Sequence, residues 1–405
     1  MNITKLKAKF NQKTMMLVFG ILGLFLLATG ISWAVFSLLS KGPSESPTPG
    51  QLTGTRSRIN LDLPKDAECL INGGKFTKPE KAIWDARRPL AIMIENHADS
   101  RPPSGLSRAD VVYEAVAEGG ITRFLGIFYC GTAAEDIKVA PVRSARIYFI
   151  NWASEYGEYP VFMHVGGANN FSGSGDTAKD VRALETLETL GWRVPKGNDF
   201  DTTYDSGFPV FWRNYERLDH EVATEHTMMI STDAAYEEAA KRGFAAKDDK
   251  GKLWSDKFVT WKFIDGKTVS SPNATTVSYE FWRNKPDYNV DWKYDAATNS
   301  YKRFHGEQAH TDLEYDNTQL VASNVVVMYV KERGPVDRNL HMAYTNIGTG
   351  KAQIFQNGTV IEGTWEKEER TDRTVFFDAK GKEVSMVRGV TWISAIPVGN
   401  SVEYN

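Results

Sequence analysis

An uncharged apolar run near the N-terminus constrains this chain more than any other feature. Residues 15–39 contain no Asp, Glu, Lys or Arg, and most of them are Leu, Phe, Val, Ile, Gly or Ala. In a helix, about 20 such residues span the hydrocarbon core of a bilayer. Four lysines precede the run, and positive charge is retained on the cytoplasmic side of a membrane. The sequence therefore predicts a cytoplasmic N-terminus at 1–14, one transmembrane helix at 15–39 and an exported remainder.

A cleaved signal peptide is the alternative interpretation of this run. The apolar part of a signal peptide has about 7–15 residues and ends in small residues. Here the run is longer, and Trp33, Phe36 and Leu38 occupy the place of a cleavage site. We therefore expect a retained helix and a single-pass protein of the cell membrane, with the bulk of the chain extracellular.

The composition beyond the anchor divides the chain into segments. Residues 40–59 are rich in Pro, Ser, Gly and Thr, which is typical of a flexible linker. Residues 60–245 alternate short apolar runs with helical spacing, which predicts an α/β domain. After a charged linker at 246–258, residues 259–405 contain strand-like runs separated by turn signals, which predicts a β-rich domain. The two domains are expected to fold independently.

The chain has two cysteines, Cys69 and Cys130, and neither follows the apolar run as a lipid acceptor would. Outside the cytoplasm they can form a disulfide, but two unrelated thiols fit the sequence equally well. A net charge of −3 provides no basic field, so no nucleic-acid partner is expected. The motifs of nucleotide cofactors, serine hydrolases and zinc proteases are missing from the sequence, so no cofactor is expected.

Polar residues cluster in the predicted α/β domain, often directly after an apolar strand. The candidate ligand-binding residues are Glu95, Asn96, His97, Arg101, Asp110, Glu118, Arg123, Arg143, Arg146 and His164. Ligands of open α/β sheets bind beyond the carboxyl ends of the strands, and guanidinium groups match carboxylate and phosphate oxygens. The pattern predicts an arginine-rich cleft for an anion. In the alternative interpretation, the arginines pair internally with Glu95, Glu114 and Glu118.

The histidines carry a weaker signal. His97 and His164 suit a general base or a metal ligand, although a lone histidine at a strand end is more often simply hydrogen bonded. His220 and His226 flank acidic residues at a spacing that fits no familiar metal motif. We interpret these two as non-ligands and expect no metal. The sequence identifies no catalytic residue.

Several blocks of the sequence resemble a known family. The blocks RPLAIMIENHADSRPPSGLSRADVVYEAVAEGGITRFLGIFYC, VAPVRSAR and HVGG, with the later GTWEKEERTDRTVFFDAKGKEVSMVRGVTWISAIP, resemble the YerB-like family. Its members are bacterial extracytoplasmic proteins, often lipoproteins, with a domain of unknown function in two parts. The resemblance implies two-part architecture and a place outside the membrane, but no activity. Many members carry a lipidated cysteine, which the transmembrane helix replaces here.

A fainter likeness links D-S-R-P, A-D and P-V-R-S-A-R to the LytR-CpsA-Psr phosphotransferases. It implies that Asp99, Arg101, Asp110, Arg143 and Arg146 contact a polyprenyl pyrophosphate. Two functions follow. We favour a binding or scaffold protein whose partner is an anionic envelope ligand or an envelope protein. The alternative is an envelope enzyme acting on a phosphorylated lipid or glycan precursor.

The predicted topology has a direct test. Protease added outside intact cells is expected to digest the chain beyond about residue 41 and to leave a short membrane-protected N-terminal piece, because positive charge retains residues 1–14 inside. Immunoblots with tags at either end measure this. Protection of the folded part, with loss of the N-terminal tag, would show the opposite orientation.

Overall fold

The computed structural model describes residues 59–248, 250–305 and 307–405. The cytoplasmic segment predicted at 1–14, the transmembrane helix at 15–39 and nearly all of the linker at 40–59 lie outside the described residues. Within these described ranges, no helix is both long enough and apolar enough to cross a membrane.

The α-helices of the described residues are short, with seven to ten residues each. They are α1 (Lys78–Trp84), α2 (Ile147–Ala153), α3 (Ala183–Thr189) and α4 (Thr232–Lys241). Turns of 3-10 helix span Ala98–Ser100, Leu106–Arg108, Ser154–Tyr156, Lys179–Val181, Thr224–His226, Pro286–Tyr288 and Leu313–Tyr315. Thr77 and Glu80 form a reciprocal capping box at the start of α1. The apolar residues Val181, Leu184, Leu187 and Leu190 recur at helical spacing, which predicts one helix over 177–190, but the chain forms a 3-10 turn followed by α3.

Strands dominate the described chain. In chain order they are β1 (Ala67–Glu68), β2 (Lys75–Phe76), β3 (Leu90–Glu95), β4 (Val111–Glu118), β5 (Ile121–Phe128), β6 (Lys138–Val139), β7 (Val161–His164), β8 (Asp199–Asp201), β9 (Phe211–Arg213), β10 (Met228–Ser231), β11 (Phe263–Ile264), β12 (Thr276–Tyr279), β13 (Val290–Asp295), β14 (Ser300–His305), β15 (Gln308–Ala309), β16 (Thr311–Asp312), β17 (Thr318–Gln319), β18 (Val321–Ala322), β19 (Asn324–Arg333), β20 (Ala343–Thr345), β21 (Gly348–Gln356), β22 (Thr359–Lys367), β23 (Val375–Asp378), β24 (Met386–Val387), β25 (Thr391–Pro397) and β26 (Val402–Tyr404). Both halves of the described chain are therefore β-rich.

One mixed sheet runs through both halves of the sequence. Its strand order is β23-β22-β21-β19-β25-β4-β5-β3-β7-β8, with β20 added beside β19. Strand β25, near the C-terminus, lies between β19 and β4 and is parallel to both. Thr391 of β25 pairs with Val111 of β4 on one side and with Asn324 of β19 on the other. The junction of the two halves is therefore an interior pairing of the sheet.

The expected fold class needs a correction at this point. The first half is not a separate α/β domain, because its strands continue into a sheet that the second half completes. Buried apolar side chains from Ala67 to Ile396 form a single hydrophobic cluster. The segment 246–258, expected to be a linker, packs onto the first half through Trp254, whose ring lies 5.1 Å from that of Tyr129. The predicted domain boundaries therefore separate segments of the sequence, but the hydrophobic core is continuous across them.

A second sheet, of order β15-β14-β13-β12-β26 with β18 beside β14, packs against the large one. Trp292 of β13 meets Trp392 of β25 edge to face, with ring centroids 5.4 Å apart. Near the start of the described chain, Cys69 and Cys130 form a disulfide with Cα atoms 6.1 Å apart. This resolves the alternative that the sequence left open for the two cysteines.

The shared sheet predicts how a fragment behaves. Residues 60–248 alone are expected to be unfolded or aggregated, because β4 would lose β25 and expose the unpaired edge of a buried strand. Near-ultraviolet circular dichroism and amide NMR dispersion measure this, with residues 59–405 as the matched control. A dispersed spectrum from the fragment would instead support an independent domain.

Candidate functional site

Parallel pairing of β3 and β7 brings their carboxyl ends together. Strand β5 runs antiparallel beside β3, so Arg123 lies opposite Glu95. The segment 140–146 crosses this end of the sheet, where the N–H of Arg143 donates to the carbonyl of Met93 at 3.0 Å. We call the group Glu95, Glu118, Arg123, Arg143 and Arg146 the arginine edge. Strands β3, β4 and β5 together with the crossing segment 140–146 therefore assemble it.

Arg123 and Arg146 both donate to the carboxylate of Glu118, at 2.7 and 2.6 Å. Each also donates from Nη1 to a main-chain carbonyl within 144–145. The two arginine side chains are buried, while that of Glu118 is 26% exposed. Burial opposes the charge on Glu118, but the two guanidinium groups outweigh it and lower the pKa of Glu118 to about 2. These contacts match the internal-pairing alternative for Arg123 and Arg146, and the pairing of Arg143 with Glu95 matches it as well.

Arg143 has a different environment. Its Nε donates to Glu95 Oε1 at 2.9 Å, and its side chain is 25% exposed. The other oxygen of Glu95 lies 2.6 Å from Nδ1 of His226. This hydrogen bond raises the pKa of His226 above its ordinary value. The ring of His226 stacks on that of His97, with centroids 4.9 Å apart. Arg143 therefore anchors one end of a partly exposed polar cluster.

Asn96 and Arg101 face the second half of the chain. Arg101 Nε donates to Asn96 Oδ1 at 3.0 Å, and its Nη1 donates to the carbonyl of Asp287 at 2.7 Å. The guanidinium carbon of Arg101 lies 4.8 Å from the centre of the Tyr288 ring. In the described structure, these two predicted ligand residues make contacts between the two halves of the sequence.

Asn96 also begins a buried polar network. Its Nδ2 donates to Thr122 Oγ1 at 2.7 Å, and that hydroxyl donates to Glu114 Oε1 at 3.0 Å. Arg303 Nη2 donates to both carboxylate oxygens of Glu114, at 3.0 and 2.8 Å. Trp392 Nε1 donates to Glu114 Oε2 at 3.0 Å. The network connects strands β4, β5, β14 and β25.

His164 lies in a separate buried charge cluster. Its Nε2 is 2.5 Å from Asp199 Oδ1, and Arg193 Nη1 donates to Asp199 at 2.7 Å and to Asp201 at 2.9 Å. Burial opposes the imidazolium form, but the carboxylates of Asp199 and Asp201 outweigh it and raise the pKa of His164. With its side chain fully buried, His164 is placed to hold β7 to β8 rather than to meet a ligand.

Asp110 also lies in a separate group, next to the disulfide. Its carboxylate accepts from the main-chain N–H groups of Tyr129, Cys130 and Gly131, and from the side chain of Asn72 at 2.6 Å. Burial raises the pKa of Asp110 to about 7, against these main-chain donors, which favour the charged form. The residue organises the turn that follows β5.

The sequence patterns do not predict several residues of these clusters, among them Arg303, His226 and the group Arg193, Asp199 and Asp201 around His164. Arg303 follows Tyr301 at the two-residue spacing of one strand face, and Tyr301 is buried. His226 fits no linear motif, and its partner Glu95 is 131 positions away. The spacing signal was present for Arg303, while no local signal exists for His226.

A cavity of about 670 Å³ lies beside the segment 248–258. Its walls mix basic and aromatic side chains, including Arg88, Lys252, Tyr159, Trp254 and Phe258. None of the ten candidate ligand-binding residues lines this cavity. The cavity and the arginine edge are therefore different features of the described structure.

Comparison with protein families defines the class of the chain. Residues 77–245 match the N-terminal domain, and residues 277–393 the C-terminal domain, of a family of unknown function, DUF3048. Together the two matches cover well over half of the chain. The chain therefore belongs to this family, and the resemblance found in its sequence blocks is confirmed.

A related bacterial protein and its solved structure resemble the chain. YerB of Bacillus subtilis (strain 168), described as a candidate lipoprotein, is 28% identical over 337 residues, which are 83% of this chain and 88% of YerB. A crystal structure of YerB matches with a TM-score of 0.63 and 26% identity, covering 83% of this chain and 99% of that one. YerB is thus a homologue with a similar fold.

The pairing of Glu118 with Arg123 and Arg146 predicts a pH-dependent contribution to stability. A carboxylate whose pKa falls from an ordinary 4.5 to about 2 on folding stabilises the fold above the unfolded pKa, on the order of 3 kcal/mol. That contribution is lost as pH falls from about 4.5 towards 2. Glu118→Gln is therefore expected to lower the free energy of unfolding near neutral pH, with a difference that shrinks in acid.

Denaturant unfolding at several pH values measures this difference. Glu280→Gln, at an exposed position, is the matched control and is expected to change little. A loss in Glu118→Gln that stays constant down to acidic pH would contradict the assignment.

Proposed function

We propose that this protein is a non-catalytic binding protein of the cell envelope, held at the outer face of the membrane by its N-terminal helix. The apolar run at 15–39, with lysines before it, supports the anchor and its orientation. The disulfide between Cys69 and Cys130 is typical of chains that fold outside the cytoplasm. The homologue YerB, described as a candidate lipoprotein, supports the same location.

The ligand we propose is an anion, either a carboxylate or a phosphate group, bound at the arginine edge. The observation that carries this is the partial exposure of Arg143. Among the described residues, the hydrogen bonds of its side chain use Nε alone, on Glu95, which leaves two Nη groups towards solvent. Guanidinium Nη groups match the spacing of carboxylate and phosphate oxygens.

The charge balance of the arginine edge also favours an anion. Three guanidinium groups, Arg123, Arg143 and Arg146, face the two carboxylates of Glu95 and Glu118. One positive charge is therefore in excess within this group, while the acidic Glu225 on the neighbouring loop also interacts with Arg143. Because Arg123 and Arg146 are buried, they attract the anion only through their electrostatic field. Arg143 makes the direct contact with the anion.

The enzymatic alternative requires Asp99, Arg101, Asp110, Arg143 and Arg146 around one substrate. Asp110 instead accepts main-chain bonds of the turn after β5, and Arg101 contacts Asn96 and the carbonyl of Asp287. A general acid or base must come within hydrogen-bond reach of its substrate. The described contacts of Asp110 and Arg101 do not direct them to the arginine edge, which favours binding over phosphoryl transfer.

Anion binding is expected to raise the melting temperature of the detergent-solubilised full chain. Millimolar pyrophosphate or citrate, in buffer with EDTA, stabilises the folded state by mass action if it binds there. Arg143→Ala is expected to weaken binding about tenfold or more, since a charge-assisted bond contributes about 1.5–3 kcal/mol. Arg143→Lys should weaken it too, because lysine lacks the two-pronged contact.

The matched control is Arg283→Ala, which removes the same charge from an exposed position. It is expected to leave the anion response intact. If pyrophosphate and citrate leave the melting temperature of the wild type unchanged, or if Arg283→Ala abolishes the response as Arg143→Ala does, the proposed anion site is wrong.

A further inference from the structure

His97, Asp99 and His226 form a compact cluster beside the arginine edge. One ligand atom from each lies within 4.8 Å of the others. The Asp99 side chain is 71% exposed and that of His97 is 31% exposed, whereas that of His226 is 8% exposed. His226 therefore lies at the buried end of the cluster and Asp99 at its exposed end, which gives an ion access from solvent.

Two chain segments that are distant in sequence are fastened together here. His97 precedes the 3-10 turn Ala98–Ser100, and His226 ends the 3-10 turn Thr224–His226. Arg217 donates to the carbonyls of Ser100 and Pro102, each at 2.6 Å. These hydrogen bonds of Arg217 hold the loop that carries His226 against the turn that carries His97 and Asp99. The packing of the two segments therefore brings the three side chains together.

The contact between Glu95 and His226 has the form found behind metal-bound histidines. Metal-ligating histidines commonly donate their second ring N–H to a carboxylate, which fixes the tautomer and the ring orientation. Here Nδ1 of His226 lies 2.6 Å from Glu95 Oε2, and Glu95 is held in turn by Arg143. With the proton on Nδ1, the lone pair of Nε2 is available to a metal.

We propose that His97, Asp99 and His226 bind one divalent transition-metal ion, with Glu95 orienting His226. Two imidazoles and one carboxylate suit Zn²⁺ or Co²⁺, since Mg²⁺ and Ca²⁺ prefer all-oxygen ligands. Three protein ligands leave a fourth position for water. The exposed His220 lies beside the cluster, with its Nε2 3.2 Å from the carbonyl oxygen of Asp99.

This inference goes beyond the proposed anion binding and rests on different side chains. It also departs from the sequence interpretation, in which His226 was a non-ligand and no metal was expected. The acidic residues Asp219, Glu221 and Glu225 lie on the same loop as His226 and favour a cation there. Arg143 opposes a cation at His226, and its pairing with Glu95 offsets part of that effect.

The test is a titration of the detergent-solubilised full chain with Co²⁺ and then Zn²⁺. One equivalent of Co²⁺ is expected to produce the visible absorption of a four-coordinate site, and Zn²⁺ should displace it. Glu95→Gln is expected to weaken metal affinity by about 10–100-fold, as for other carboxylates behind metal-bound histidines. His226→Ala and Asp99→Asn, which remove ligands, are expected to weaken it further.

Asp99→Asn keeps the test valid if His226→Ala fails to fold, because the Asp99 side chain is largely exposed. The matched control is His341→Ala, which removes a histidine that contacts Asp337 elsewhere, at 2.8 Å. It is expected to leave Co²⁺ binding unchanged. Absence of saturable Co²⁺ binding, or equal binding by Asp99→Asn and the wild type, would overturn the proposal. Arg143→Lys is expected to retain the metal, so the anion and metal proposals can fail separately.

Discussion

The buried ion pair between Glu114 and Arg303 is the interaction on which the rest of this fold depends. Both side chains are fully buried. A buried carboxylate carries a large desolvation cost, which only a close countercharge and full hydrogen bonding offset. Glu114 has both, because Thr122 and Trp392 complete the set of donors around it. Loss of one partner of such a pair costs about 3–5 kcal/mol, since the other charge stays buried.

The position of this pair explains the architecture. Glu114 lies on β4, Arg303 on β14 of the second sheet and Trp392 on β25. The ring of Trp392 lies 4.4 Å from the guanidinium carbon of Arg303, which gives the cation an aromatic face as well as a carboxylate. One carboxylate thus fastens both sheets and both halves of the chain. The network extends through Thr122 and Asn96 to the carboxyl ends of the strands, next to the arginine edge.

Glu95 links the two binding proposals through its two oxygens. One oxygen accepts from Arg143 and the other meets His226. In the two proposals, Glu95 would therefore orient both the arginine that binds the anion and the histidine that binds the metal ion. By contrast, both oxygens of Glu118 are taken by buried arginines, which makes that pair a structural clamp. Exposure, more than residue type, distinguishes Arg143 from Arg123 and Arg146, which are buried.

Local sequence signals by themselves indicated many strands and turns of this protein and the residues of its candidate edge. The hairpin between β21 and β22 turns at Asn357 and Gly358, both with positive φ, as the Asn-Gly pair predicts. The family follows from the sequence blocks alone. Only the tertiary structure decided the partners of the charges and the extent of the core. The pairing of β25 with β4 and the contact of Glu95 with His226 join residues far apart in the chain, and one sequence carries no periodic signal for such contacts.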